Sequence, residues 1–263
     1  MPEVTFEALR DAIRAQRPAV LVTVIDGPGR GDKVLLVDGE QPAGGLADAD
    51  LARVVARDAE AALAAGTTAV RRYGAHGEAN EEDVTVYYEA YAPPPRLVIF
   101  GAVDFTAALT RIGKVLGYHV TVCDARAVFA TKARFPMADE VVVDWPHRHL
   151  AEIGSSLGPR DAVCVLTHDA KFDVPAIQAA LATEVGYLGA MGSRRTTEQR
   201  NARLREAGVT DAELERLMAP IGLDLGARTP EETAVAICAE IIARRTATRA
   251  PSLKLVDGPI HDR

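Results

Sequence analysis

Residues 96–124 read RLVIFGAVDFTAALTRIGKVLGYHVTVCD, and this stretch decides the fold. The first five residues are nearly all apolar, which is typical of a strand in a parallel sheet covered on both faces. Gly101 ends this strand, residues 106–116 have helical spacing, and a second apolar strand follows at 119–123. A strand, a helix and another strand with short connections predict a right-handed crossover in an open parallel α/β sheet.

The same alternation continues towards the C-terminus. Further strands are predicted at 141–143, 162–166 and 187–188, and helices at 172–183, 195–206, 211–217 and 230–245. We therefore predict an α/β domain over residues 93–249, followed by an extended or frayed tail at 250–263.

The residues before this domain show a different order of predicted helices and strands. Helices are predicted at 5–16 and 47–65, and strands at 19–25, 33–37, 67–73 and 84–91, of which the first two form a hairpin or meander. Pro93-Pro94-Pro95 cannot continue a strand ladder and favours a stiff linker. The sequence thus predicts a smaller N-terminal α+β domain over residues 1–92.

The composition excludes several classes of protein. A net charge of −7 argues against a broad surface for nucleic acid or for a membrane. Cys123, Cys164 and Cys238 lie in apolar runs without zinc-ligand spacing, which indicates buried, reduced thiols. The first residues lack the apolar core of a signal peptide, and no apolar run reaches the roughly 18 residues of a membrane span, so we expect a cytoplasmic protein.

The turn after the first parallel strand resembles a dinucleotide fingerprint in part. Gly101 stands at the first glycine of G-x-G-x-x-G, but Val103 and Thr106 replace the second and third. Asp124, at the end of the next strand, is placed to accept hydrogen bonds from a ribose diol. Since the side chain of Val103 crowds an approaching pyrophosphate, the pattern favours the fold over a bound dinucleotide. The alternative is a scaffold whose cleft serves another ligand.

Two polar segments follow later strands, where open α/β sheets bind their ligands. Thr167, His168 and Asp169 follow the strand at 162–166, and His168 could act as an acid or base or could cap the next helix. Gly192-Ser193-Arg194-Arg195 leads into a helix, where free backbone N–H groups and an arginine favour an anion. An ordinary connection with solvated arginines is the alternative.

Three remaining features carry weaker signals. The loop at 220–224, Pro-Ile-Gly-Leu-Asp, permits close approach of a ligand, with Asp224 as its polar residue. The segment 229–232, Thr-Pro-Glu-Glu, is a helix capping box and a structural signal. His147 and His149 could supply two metal ligands from a strand, but no third ligand is evident and no metal site is predicted.

Seven of these motifs, in this order, resemble the C-terminal domain of the XdhC/CoxI family, the xanthine dehydrogenase accessory factors. They are RLVIFGA at 96–102, Asp124-x-Arg126, Arg134-Phe135-Pro136, Thr167-His168-Asp169, YLGAMGSR at 187–194, PIGLD at 220–224 and TPEE at 229–232. The N-terminal part is similar, less closely, through Thr23-Val24 and the Gly44-Gly45 turn.

The resemblance implies a Rossmann-like domain in an accessory protein rather than an enzyme. Such a protein binds molybdenum cofactor, a pterin with a phosphate or a dinucleotide. It assists sulfuration of the cofactor and its insertion into a xanthine dehydrogenase or CO dehydrogenase type enzyme. The implied partners are a cysteine desulfurase, a second copy of the chain and a molybdenum hydroxylase subunit. The implied cofactor-binding residues are Gly101, Asp124, Arg126, Thr167, His168, Asp169, Gly192, Ser193, Arg194 and Asp224.

The chain departs from the family pattern at two places. Members usually show Gly-Ala-Gly-His after the first Rossmann strand, where this chain has Gly101-Ala102-Val103-Asp104. The N-terminal Gly-Gly-Cys-x-Glu element is absent, because Leu46 follows Gly44-Gly45. These departures leave open a divergent, non-catalytic scaffold of the same family. The Rossmann unit and Asp124 leave open an NAD(P)-dependent oxidoreductase, against which Val103 argues.

Overall fold

The computed structural model of the protein describes residues 2–257. Contacts within the chain divide it into two compact units, Met1–Pro93 and Pro94–Arg263. The first is built on an antiparallel sheet and the second on a parallel sheet, which confirms the predicted fold class. Among the described residues, no helix is both long and apolar enough to cross a membrane.

The N-terminal unit follows the predicted order of elements. They are α1 (Pro2–Arg14), β1 (Ala19–Asp26), β2 (Lys33–Val37), β3 (Glu40–Gly44), α2 (Ala49–Ala65), β4 (Ala69–Tyr73) and β5 (Val84–Tyr91). The strands pair antiparallel in the order β3-β2-β1-β5-β4, and the predicted hairpin of β1 and β2 is confirmed. Strand β3 was not predicted, since it contains Pro42 and ends on Gly44, residues that occur mainly at sheet edges.

Both faces of this sheet are covered, which explains why β1 and β2 are apolar at nearly every position. Val20 and Val22 face α2 and pack in one cluster with Val55. Leu35 faces the opposite way and packs with Leu9 of α1. Because successive side chains of a strand point to opposite faces, each helix covers one alternate set.

The C-terminal unit alternates strands and helices. They are β6 (Arg96–Phe100), α3 (Asp104–Val115), β7 (His119–Cys123), β8 (Glu140–Val142), α4 (Pro146–Ile153), β9 (Ala162–Val165), α5 (Ala170–Leu181), β10 (Tyr187–Ala190), α6 (Arg194–Glu206), α7 (Asp211–Leu214), β11 (Leu217–Met218) and α8 (Pro230–Arg245). The strands pair parallel in the order β11-β10-β9-β6-β7-β8. The order reverses between β6 and β9, as in doubly wound sheets that bind nucleotides at this point.

Helices on both faces bury this sheet. Ile99 of β6 packs with Leu109 of α3 and Ile237 of α8 on one face. Phe100 packs with Ile177 of α5 on the other. The three cysteines are buried and free, as predicted: Cys123, Cys164 and Cys238.

Some local predictions in this unit were wrong. The helix predicted at 211–217 ends at Leu214, and Leu217–Met218 pairs with β10 instead. His147 and His149 lie on α4, which was not predicted, and not on a strand. Residues two apart on a helix project about 200° apart, so these imidazoles do not converge on one ion. No group of three metal-ligating side chains occurs in the described part of the chain.

Candidate functional site

The predicted polar segments lie at the carboxyl ends of four neighbouring strands. Gly101 follows β6, Asp124 follows β7, Thr167 follows β9 and Gly192 follows β10. These strands are adjacent in the order β10-β9-β6-β7, so the segments line one edge of the sheet. We call this row of segments the C-terminal edge.

Gly101 marks the point where the strand order reverses. Its φ is +111°, a conformation that glycine adopts without strain. A Cβ at this position would lie 2.9 Å from Cγ2 of Thr167 and 3.0 Å from its backbone nitrogen. The turn after β6 therefore packs directly on the segment after β9, and no larger residue fits between them.

The carboxylate of Asp124 is fully engaged inside the protein. Oδ2 accepts the Ala102 N–H at 2.8 Å, and both oxygens bind the Arg126 guanidinium at 2.7 and 2.9 Å. Oδ1 also accepts the Arg126 N–H at 2.9 Å. Burial opposes ionisation, but the hydrogen bonds from Arg126 and Ala102 outweigh it and hold the pKa of Asp124 below its ordinary value. The residue predicted to accept hydrogen bonds from a ribose fastens the turn after β6.

The Thr106 side chain ties the start of α3 to the turn that precedes it. The Val103 N–H donates to the Thr106 hydroxyl at 3.4 Å, and that hydroxyl donates to the Gly101 carbonyl. Asp104, in the first turn, has a side chain that is 92% exposed. The helix end that holds pyrophosphate in dinucleotide enzymes thus presents a carboxylate and an isopropyl group.

Two arginines flank this turn and contact one ring. Arg126 lies 4.7 Å and Arg134 lies 5.5 Å from the centre of the Phe129 ring. Arg134 also donates to the Ala102 carbonyl at 3.1 Å. Sequence reasoning did not select Phe129 or Arg134 as site residues, although Arg134 lies in one of the matched motifs.

A buried polar network lies behind the segments that follow β9 and β10. The Thr167 hydroxyl donates to Asp173, and the Asp173 carboxylate forms an ion pair with Arg200 at 3.2 Å. Nη2 of Arg200 donates to the Met191 carbonyl, and its other amino group, Nη1, is buried with no hydrogen-bond partner among residues 2–257. Burial raises the pKa of Asp173, against the opposing effects of Thr167 and Arg200.

Sequence reasoning missed Arg200, although the helical repeat carried a signal. Thr197, Arg200 and Leu204 recur at helical spacing and form the buried face of α6. An arginine on such a face needs a specific partner, and only the folded structure identifies it as Asp173.

The N-terminus of α6 is open. Ser193 caps the helix by accepting the Thr196 N–H at 3.2 Å. Within the described residues, the four successive N–H groups of 192–195 have no hydrogen-bond partner. The side chains of Arg194 and Arg195 are exposed, and neither forms an ion pair with any other described residue. Donors and positive charge at a helix N-terminus are what an anion requires.

The other predicted site residues differ in their surroundings. Asp169, not His168, caps α5, by accepting the Lys171 N–H at 3.1 Å. His168 is exposed beside Asp173 and makes no hydrogen bond with the described residues. Asp224 is exposed, and no contact joins it to the other predicted residues in the described structure. The structure therefore groups the predicted residues of the C-terminal edge, whereas Asp224 makes no recorded contact with them in the described residues.

The loop at 220–224 is nevertheless anchored beside β10. The Ile221 N–H donates to the Ala190 carbonyl at 3.1 Å. The Gly222 N–H and the Tyr187 hydroxyl both donate to Glu240 of α8, at 2.8 and 2.5 Å. These contacts explain the loop as a structural element of the sheet edge.

The strand order, the Gly101 turn and the C-terminal edge define a Rossmann-type domain. A family model described as the XdhC Rossmann domain matches residues 97–241, and the chain belongs to this family. The recognition made from the sequence is thereby confirmed.

Named relatives are similar to more than half of the chain. A Bacillus subtilis (strain 168) protein described as a probable xanthine dehydrogenase subunit is 31% identical over 165 residues, which cover 63% of this chain and 47% of the relative. The molybdenum cofactor insertion chaperone PaoD of Escherichia coli (strain K12) is 28% identical over 155 residues, which cover 59% and 42%. The chain thus spans less than half the length of these curated relatives.

A solved structure shares the fold over nearly the whole chain. A crystal structure described as a xanthine dehydrogenase from Bacillus halodurans superposes with a TM-score of 0.55 at 21% identity. The match covers 94% of this chain and 97% of the other. At this identity the likeness establishes the fold alone.

Proposed function

We propose that this protein is an accessory factor that binds molybdenum cofactor and assists its insertion into a xanthine dehydrogenase or CO dehydrogenase type molybdoenzyme. Membership of the XdhC Rossmann family and a relative named as a cofactor insertion chaperone support the proposal. The observation that carries it is the open N-terminus of α6, where N–H groups and two arginines without a partner in residues 2–257 suit the phosphate of a pterin cofactor.

The residues of the C-terminal edge would have separate roles in binding the cofactor. Ser193 and the N–H groups of 192–195 would bind the phosphate, with Arg194 supplying charge and bidentate donors. His168 lies exposed on the neighbouring strand end and would contact the remainder of the ligand, while the buried Thr167 would hold Asp173 in place. Gly101 and Asp124 would shape the adjoining wall rather than bind, because their polar groups are already paired, and Arg126 would hold the Asp124 carboxylate in place.

An NAD(P)-dependent oxidoreductase is the second candidate, favoured by the strand order of the parallel sheet. The engaged carboxylate of Asp124 and the position of Val103 weigh against it. The proposal further includes delivery to a molybdenum hydroxylase subunit, sulfuration by a cysteine desulfurase, and self-association as a dimer. Each of these follows from the family resemblance and is open to direct test.

Anaerobic titration of the full chain tests the proposal. Molybdenum cofactor and, separately, NAD(H) are added while thermal unfolding and the fluorescence of Trp145 are followed. A ligand at a hundredfold excess over its Kd stabilises the folded state by about 2.7 kcal/mol, so binding is readily seen. Stabilisation by the molybdenum cofactor alone supports the accessory role. Stabilisation by NAD(H) alone supports the oxidoreductase and overturns the proposal.

Two matched variants locate the site. Arg194→Glu reverses a charge at the N-terminus of α6, and Arg203→Glu reverses one near the other end of the same helix. We expect only the first to lose cofactor binding, by about ten- to a hundredfold, the range for hydrogen bonds to a charged group. Equal losses in both would place the ligand elsewhere.

A further inference from the structure

The turn from β6 to α3 and the turn from β10 to α6 both lie at the C-terminal edge of the parallel sheet, and they are not equivalent. In the turn from β6 to α3, the N–H groups of Ala102 and Val103 already donate to Asp124 and Thr106. In the turn from β10 to α6, the N–H groups of 192–195 have no partner among the described residues. An anion therefore finds four free backbone donors at α6, whereas at α3 only the N–H groups of Asp104 and Phe105 have no partner among the described residues.

The charged residues in the first helical turn also favour an anion at α6 over one at α3. The first turn of α3 carries Asp104, which lies 3.9 Å from the Arg134 guanidinium, whereas that of α6 carries arginines and no acid. Cations near a helix N-terminus are electrostatically unfavourable for the helix itself. Such a placement is understandable when a bound anion lies between the cations and the helix end.

Arg200 provides an independent sign of a ligand at α6. Its side chain is only 3% exposed, yet Nη1 has no hydrogen-bond partner within residues 2–257. The guanidinium lies directly behind the turn, since a Cβ at Gly192 would stand 3.2 Å from Nη2. A buried guanidinium with one unpaired donor is costly, and the negative charge of an anion at the adjacent turn would reduce that cost.

The turn at α3 lacks what the second half of a dinucleotide needs. A dinucleotide requires a carboxylate free to accept the ribose hydroxyls and a backbone that its diphosphate can approach. Here Asp124 accepts four hydrogen bonds from Arg126 and Ala102. Val103 stands where close approach requires glycine.

We infer that this chain selects the pterin carrying a terminal phosphomonoester and discriminates against the pterin dinucleotide, with the phosphate at the N-terminus of α6. This inference rests on the proposed function and specifies which form of the cofactor the site accepts. The contrast between the open turn at α6 and the closed turn at α3 is its structural basis.

The test compares two ligands on the unaltered full chain under anaerobic conditions. The probes are molybdenum cofactor as its phosphomonoester and as its cytidine dinucleotide, and their Kd values are measured by quenching of Trp145 or by calorimetry. We expect the phosphomonoester to bind at least about tenfold more tightly, which corresponds to one hydrogen bond to a charged group. Inorganic phosphate should compete with it.

The outcomes separate this inference from the proposed function. Binding of neither form overturns both. Equal binding, or tighter binding of the dinucleotide, overturns the selectivity and leaves the accessory role standing. Absence of competition by phosphate overturns the α6 position.

A double variant tests how the α3 turn produces the selectivity. Arg126→Ala frees one side of Asp124, and Val103→Gly opens the backbone at α3. The double variant should gain affinity for the dinucleotide while it retains that for the phosphomonoester. Circular dichroism establishes that the variant folds, and an unchanged preference in a folded variant would contradict the role assigned to the α3 turn.

Discussion

Two buried networks, one in each unit, pair a carboxylate with an arginine and a hydroxyl, yet they differ in completeness. In the N-terminal unit, Asp58 accepts the Tyr73 hydroxyl at 2.8 Å and binds Arg71 at 2.6 Å. Tyr73 in turn bonds to the Tyr88 hydroxyl at 2.6 Å. Among the described residues, no buried polar atom of these side chains is left without a partner.

The network of the C-terminal unit uses the same kinds of group with a different result. Asp173 accepts the Thr167 hydroxyl and binds Arg200, but Nη1 of Arg200 stays buried, with no partner in the described part of the chain. The side chain of Arg71 is 43% exposed, whereas that of Arg200 is 3% exposed. A complete network rigidifies a unit, whereas an unsatisfied buried donor calls for an explanation, which an anion bound at the adjacent end of α6 would supply.

The largest effect should come from removing the carboxylates. Asp173→Ala leaves the Arg200 guanidinium buried without its counter-charge, which should cost about 3–5 kcal/mol. Asp58→Ala should cost less, about 1–3 kcal/mol, because Arg71 can turn to solvent. Denaturant unfolding followed by Trp145 fluorescence measures the first, and hydrogen exchange of the β1 amides measures the second.

A control for this pair is Asp211→Ala, which removes an exposed partner of Arg205. We expect a change within about 0.5 kcal/mol, as for other surface pairs. If Asp58→Ala and Asp173→Ala cost the same, the exposure of the arginine does not distinguish the two networks.

The pH dependence of stability should have opposite signs in the two networks. Burial opposes ionisation of Asp58, but bonds from Tyr73 and Arg71 outweigh it and lower the pKa. Its contribution is therefore present above the unfolded pKa, about 3.9, and is lost as pH falls through the folded pKa. Burial raises the pKa of Asp173, so its contribution is present below about pH 3.9 and is lost as pH rises through the folded pKa.

Unfolding of Asp58→Asn and Asp173→Asn beside the parent between about pH 3 and 6 checks these signs. On acidification the parent should lose its advantage over Asp58→Asn and gain relative to Asp173→Asn. The size should be about 1.4 kcal/mol for each unit of pKa shift. Parallel curves would show that the two carboxyls titrate alike.

The fold could be predicted because its signals are local. The apolar runs of β6 and β9 and the capping box of α8 each specify their element from neighbouring residues. Strands β3 and β11 escaped prediction because pairing with a neighbouring strand, rather than their own composition, defines them.

The site could be predicted only in outline. Position at strand ends correctly grouped the segments after β6, β7, β9 and β10. The closure of Asp124 by Arg126 and the pairing of Arg200 with Asp173 depend on side-chain geometry. Asp173 and Arg200 are 27 positions apart in the chain (200 − 173), and no sequence pattern predicts a contact over that separation.

The smallest expected effect concerns the N-terminal ends of α2 and α6, one helix from each unit. Helix α2 starts with the acidic residues Asp48 and Asp50, as its dipole favours, whereas α6 starts with Arg194 and Arg195. Arg194→Glu should therefore stabilise the ligand-free chain by about 0.3–1 kcal/mol, although it weakens anion binding. Arg203→Glu, in the last turn of the same helix, should destabilise it by a similar amount.

Thermal unfolding of both variants, with and without phosphate, measures this trade-off. The parent should gain stability from phosphate, Arg203→Glu should gain equally, and Arg194→Glu should gain much less. Arg194 and Arg195 are unfavourable for the dipole of α6 and form no ion pair with another described residue. A bound anion would account for their position. If Arg194→Glu proved no more stable than the parent without phosphate, the cations at α6 would impose no cost. Their placement would then give no reason to expect an anion.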